Sequence, residues 1–218
     1  MSSTAAGSQR SLVRRILHDY GETFAERLGI SLKSDNSAGF FQLWTLGMLV
    51  TARTRPLPLL GAAKALFDRG WTTAERMAGA EPDEMAAVLL GSGYEASRAC
   101  VERLQAASRR LLRMYGGDLR ELRRSAAGDR ERERALLTAP PGLSEAGVEL
   151  FFREVQESWQ EWMPFADRPV REGAQILGLP DDPHALLRLT GRRRYLDLVA
   201  GLAWMREHRA SDAPLFMP

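Results

Sequence analysis

Cysteine and lysine are nearly missing from this chain. Cys100 is the only cysteine, which excludes a disulfide framework and any cluster or zinc site built from several thiolates. A single thiol also points to a reducing, cytoplasmic setting. Lys33 and Lys64 are the only lysines, so nearly all of the 30 cationic side chains are arginine. Arginine suits bidentate phosphate contacts, although a GC-rich coding sequence gives the same bias. His18, His184 and His208 lie far apart and lack metal-ligand spacing. No metal and no other cofactor is therefore expected. No apolar run reaches the roughly 18 residues of a membrane span. The start from Met1 to Gln9 is polar and lacks the apolar stretch of a signal peptide, so it reads as a disordered tail.

Net charge is also small. The net charge is +2, so a nucleic-acid partner requires the cations to gather on one face. The segment from Arg98 to Arg134, with Arg109, Arg110, Arg113, Arg120, Arg123 and Arg124, is the only candidate for this. Acids interleave with them, and a solvated helix face is the simpler reading. The same reading applies to Glu154, Glu157 and Glu161, which fall at helical spacing.

What remains is helical. No alternating strand pattern survives and there is no repeat, so the expected fold class is all-α, with about ten short helices. Phe40 to Val50 is almost wholly apolar, which suits a buried helix more than a strand. Thr72 or Thr73, Asp118 and Asp129 suit helix caps, Pro82 suits a first helical turn, and Gly116-Gly117 suits a helix end. Val148, Phe151, Phe152, Val155 and Trp159 form an apolar stripe. Cys100, among apolar neighbours, is expected to be a packing residue.

Pro140-Pro141-Gly142-Leu143-Ser144-Glu145-Ala146-Gly147 reads as a tight hairpin between two helices. Proline ends the first helix, Gly142 permits the turn, and Ser144 can cap the second helix. The first amides of that helix are unsatisfied and can bind an anion, on DNA a backbone phosphate. A plain helical corner uses the same residues. Downstream, Asp167 precedes Pro169 and suits the cap of a further helix.

Several segments, taken in order over roughly residues 38–180, resemble the helix-hairpin-helix DNA glycosylase superfamily in its endonuclease III-like branch. Phe41 to Thr54 resembles its apolar helix ending in a loop that faces DNA. Leu90 to Ala99 resembles its Gly-x-x-x-Ser-Lys-Ala segment, with Arg98 in the lysine place. Tyr115 to Asp118 is similar to the stretch leading to the hairpin, Pro141 to Ser144 to its Pro-Gly-Val-Gly, and Ala166-Asp167 to its Val-Asp. Gly147 to Gln156 is similar to a signature of actinobacterial endonuclease-like proteins.

The resemblance implies two helical subdomains with a cleft between them. One spans about residues 38–160 and ends in the hairpin; the other joins 1–37 to 161–218 and carries Asp167. It implies duplex DNA as partner, held by Gly142, Leu143, Ser144, Glu145, Ala146 and Gly147, and a cytoplasmic monomer without membrane attachment. In family members with lyase activity a hairpin lysine attacks the sugar. Ala146 stands in that place, so lyase chemistry is not expected. Asp167 matches the family carboxylate, whose implied role is to stabilise an oxocarbenium-like sugar and to orient or deprotonate water. Pro169 replaces the residue usual two positions later. The family's iron–sulfur loop needs four cysteines and is excluded. Arg53 falls where relatives place a residue that fills the gap left by an everted base. Trp44 and Tyr94 suit either a base pocket or the core, and Arg98 suits a DNA contact.

Three functions follow as expectations. The first is a monofunctional DNA glycosylase of base excision repair. The second is a DNA-binding protein on the same fold without turnover. The third is an all-α protein-interaction module whose hairpin is only a corner.

Overall fold

The computed structural model describes residues 2–32, 36–51, 55–95 and 98–209, with side chains within 9–206. Among them are thirteen α-helices, one 3-10 turn and no strand. No helix among the described residues is long and apolar enough to cross a membrane.

Helix α1 spans Ser2–Asp19. The stretch read from sequence as a disordered tail is therefore helical backbone. Ala5 and Ala6 are strong helix formers, and Ser and Thr residues suit the start. The short α2 (Phe24–Arg27) opens with a capping box, in which Thr23 and Glu26 each accept from the other's backbone N–H.

Helix α3 (Ser37–Leu49) is buried over nearly its whole circumference. It has no polar face because α4 (Pro56–Asp68), α7 (Arg98–Tyr115), α8 (Leu119–Ala126) and α10 (Glu145–Val155) pack around it. Two glycines let α3 and α10 cross closely. A Cβ on Gly147 would lie 2.3 Å from the Gly47 carbonyl oxygen, and one on Gly47 2.9 Å from that of Gly147. Helices α5 (Ala74–Ala78) and α6 (Pro82–Gly91) pack on α7, and α9 (Arg130–Thr138) leads to the hairpin. Thr73, Asp118 and Asp129 cap α5, α8 and α9, as their residue types predict.

The apolar side chains form two cores. The larger runs from Phe40 through Leu111, Phe152 and Trp159 to Phe165, and also takes in Phe24 and Trp204. The smaller joins Val13 and Ile16 to Val170, Leu186, Tyr195 and Leu202. It is built from α1, α11 (Arg168–Ile176), α12 (Pro183–Thr190) and α13 (Arg192–Arg209). Chain order thus interleaves the cores, because α1 returns to pack on α13.

Candidate functional site

The hairpin joins α9 to α10. Leu143 donates its backbone N–H to the Leu137 carbonyl at 2.9 Å, which folds the turn back on the helix it leaves. A Cβ on Gly142 would lie 2.5 Å from that same oxygen and 2.6 Å from the Ala139 carbonyl, so only glycine fits. Ser144 Oγ accepts from the Gly147 N–H at 3.1 Å and donates to the Val50 carbonyl at 3.3 Å. The hairpin is thereby tied to the end of α3. Glu145, at the first position of α10, is exposed and paired with Arg134 at 2.9 Å. Its negative charge works against anion binding there, and Arg134 offsets it.

A cleft of about 480 Å³ opens between α10 and the second core. Phe24, Val50, Leu59, Leu150 and Ala203 give it apolar walls. Ala146, Glu149 and Arg153 line it from α10; Asp167, Arg168 and Glu172 line it from the start of α11. Residues far apart in sequence, Ala146 and Asp167, therefore share one cavity. Arg53 lies outside the described residues; Thr51 and Pro56, which precede and follow it in sequence, line the cleft.

Asp167 is only 2 % exposed. One carboxylate oxygen caps α11, accepting from the Val170 N–H at 3.2 Å. The other accepts from Arg153 Nη1 at 2.6 Å. Arg153 is buried too, and its Nε meets Glu154 at 3.3 Å. Glu154 in turn accepts from the Ala25 N–H at 3.1 Å. Burial pushes the Asp167 and Glu154 carboxyls above their ordinary range, while Arg153 pulls both down. Glu154 is thus no part of a solvated face. Helix α10 is buried throughout from Leu150 to Val155, so this end of it has no solvent side. Glu161 is partly buried and held by Arg123 at 2.6 Å; Glu157 is exposed.

The approach to Asp167 is fixed from both cores. Gln156, fully buried, accepts from the Phe165 N–H at 2.9 Å and donates to its carbonyl at 3.2 Å. Tyr195 donates its hydroxyl to the same carbonyl at 3.1 Å. Sequence reasoning missed Arg153, Gln156 and Tyr195.

Comparison with family models, with curated proteins and with solved structures found no match.

Trp44 and Tyr94 are buried in the larger core and do not line the cleft. Trp44 packs against Phe41, and the Tyr94 hydroxyl donates to the Leu49 carbonyl. Both serve packing, because α3 is surrounded. Arg98 is exposed, pairs with Glu102 at 3.2 Å, and is also away from the cleft. Several arginines of the basic segment are committed within the molecule: Arg120 to Asp118, Arg123 to Glu161, Arg124 to Glu121 and Arg134 to Glu145. The cleft itself carries Arg153, Arg168 and Arg206 against Glu149, Asp167 and Glu172, so its fixed charges balance. Among the described residues no group of three or more His, Cys, Asp or Glu side chains could hold a metal.

Proposed function

We propose that this chain is a monofunctional DNA glycosylase on a helix-hairpin-helix fold of two helical subdomains. The observation that carries the reading is the shared cleft. Ala146 and Asp167, matched separately to the attacking lysine and the carboxylate of that superfamily, line one cavity. Its volume of about 480 Å³ leaves room for an everted nucleotide. Duplex DNA binds along the hairpin from Gly142 to Gly147, with the α10 amides meeting a phosphate. The target nucleotide turns into the cleft, where water replaces the base at C1′. Asp167, buried deep in the wall, holds the start of α11 against Arg153 and so sets the shape of the cleft, and Ala146 leaves no amine for a Schiff base. Excision from a panel of lesion duplexes, followed by alkaline cleavage of the abasic product, tests this. Wild type releases a base from at least one lesion and Asp167→Asn is slower; no release from any lesion overturns the reading.

One observation favours a second reading. Both oxygens of Asp167 are already engaged, one by Arg153 and one by Val170. A carboxylate so neutralised suits a protein that binds distorted duplex DNA without turnover. That reading predicts salt-dependent binding, loss of binding in Gly142→Asp, and no effect of Asp167→Asn.

A further inference from the structure

We infer that Glu149, rather than Asp167, is the carboxylate that meets the everted sugar and its attacking water in the cleft. The inference rests on the glycosylase reading and assigns the chemistry within it. Three carboxylates line the cleft. Asp167 has one oxygen on the Val170 N–H and the other on Arg153. Glu172 is likewise committed, one oxygen to Arg168 Nε at 2.6 Å and the other to Arg206 Nε at 2.9 Å. Glu149 is half-buried in the wall and has no hydrogen bond or ion pair among the described residues. Its oxygens alone are uncommitted.

Its position on α10 supports the assignment. Ala146, Glu149, Leu150 and Arg153 recur at the spacing of one helix face, and all four line the cleft. Glu149 stands one turn beyond Ala146, about 4.5 Å along the axis. Ala146 is where the resemblance places an amine that reaches C1′, so a glutamate one turn on reaches the same region from the same wall. Phe24, Val50 and Leu150 line the same cleft, and apolar walls strengthen attraction to a sugar cation. In the hydrolytic step the oxygen of water bonds to C1′ and a water proton passes to Glu149. The C1′–N bond breaks, its electron pair leaves with the base, and the base takes a proton from solvent.

The test needs no turnover. Two duplexes are compared at one salt concentration: one carries a cationic pyrrolidine in place of the sugar, the other a neutral tetrahydrofuran. Wild type binds the cationic duplex about tenfold more tightly, the attraction of one carboxylate in a partly dry site. Glu149→Gln loses most of that preference but keeps its affinity for the neutral duplex, while Asp167→Asn keeps the preference. An unchanged ratio in Glu149→Gln overturns this inference and leaves the glycosylase reading to the excision assay. If wild type binds no duplex at low salt, the DNA reading fails and this assignment fails with it; if it binds both no better than undamaged DNA, the assignment of Glu149 fails.

Discussion

Replacing Arg153 by Met removes the one cation that faces two buried carboxylates. The guanidinium lies 2.6 Å from Asp167 and 3.3 Å from Glu154, and all three groups are buried. Breaking a buried ion pair from one side costs about 3–5 kcal/mol, because the remaining charge keeps its desolvation penalty. Here two carboxylates are left, each holding a single backbone N–H, from Val170 and Ala25. For a chain of this size the loss corresponds to a fall in Tm of roughly 6–20 °C. The deficit depends on pH. Burial already raises both carboxyls above their ordinary values, and without Arg153 they rise further. A group whose folded pKa is raised contributes stability that is full below its unfolded pKa and is lost as pH rises through the folded pKa. The variant is therefore least impaired near pH 4 and most impaired at pH 7 and above. Urea titrations of wild type and variant at two pH values measure this directly. Arg153→Lys, which keeps a charge but not the two-sided reach, falls between them. A loss under about 1 kcal/mol at pH 7.5, or one that does not shrink in acid, refutes the account of the cluster.

Other perturbations have equally definite outcomes. Glu133 is buried with one oxygen unpartnered; the other accepts from Trp162 Nε1, and burial together with Glu161 raises its pKa to about 7. Its contribution to stability is full below pH 4.5 and is lost as pH rises through 7, so Glu133→Gln gains on wild type across that window, by about 1 kcal/mol in thermal melts at pH 8; no gain there contradicts the assignment. Ser144→Ala removes the α10 cap and the tie to Val50 and lowers stability by about 1–2 kcal/mol in chemical denaturation. Gly142→Ala drives a Cβ into the Leu137 and Ala139 carbonyls. It displaces the hairpin and weakens binding to undamaged duplex at low salt at least tenfold, whereas binding at the wild-type level shows that the hairpin is not the grip.

The sequence made the helix boundaries legible because capping is local chemistry. Thr73, Asp118, Asp129, Ser144 and Asp167 each precede a helix and each accepts at least one of its first amides. The buried character of α3 was equally readable, since no polar face is present to be solvated. The ion cluster was harder to read. Arg153 and Glu154 sit inside Phe151-Phe152-Arg153-Glu154-Val155, and helical spacing alone places a glutamate there on an outer face. Only the approach of α2 and α13 to the far side of α10 encloses it. A charged pair flanked on both sides by large apolar residues was the available signal. Trp44 and Tyr94 show the converse: aromatic residues near a loop expected to face DNA turn inward, because α4 and α7 cover α3 from outside. The shared wall of Ala146 and Asp167 depended on the approach of two cores, which local pattern does not specify.

Installing an amine at Ala146 tests most directly whether the cleft receives the sugar of duplex DNA. Ala146 is exposed and lines the cleft on the hairpin side, so a lysine there enters without overpacking. Ala146→Lys is incubated with a duplex containing one abasic site, and borohydride is added to reduce any Schiff base formed between the lysine and the open sugar. The account predicts a covalent protein–DNA adduct with Ala146→Lys, none with wild type, and loss of the adduct when Gly142→Asp is added. Absence of an adduct, with the variant folded and binding the duplex, contradicts the claim that the sugar reaches this cleft.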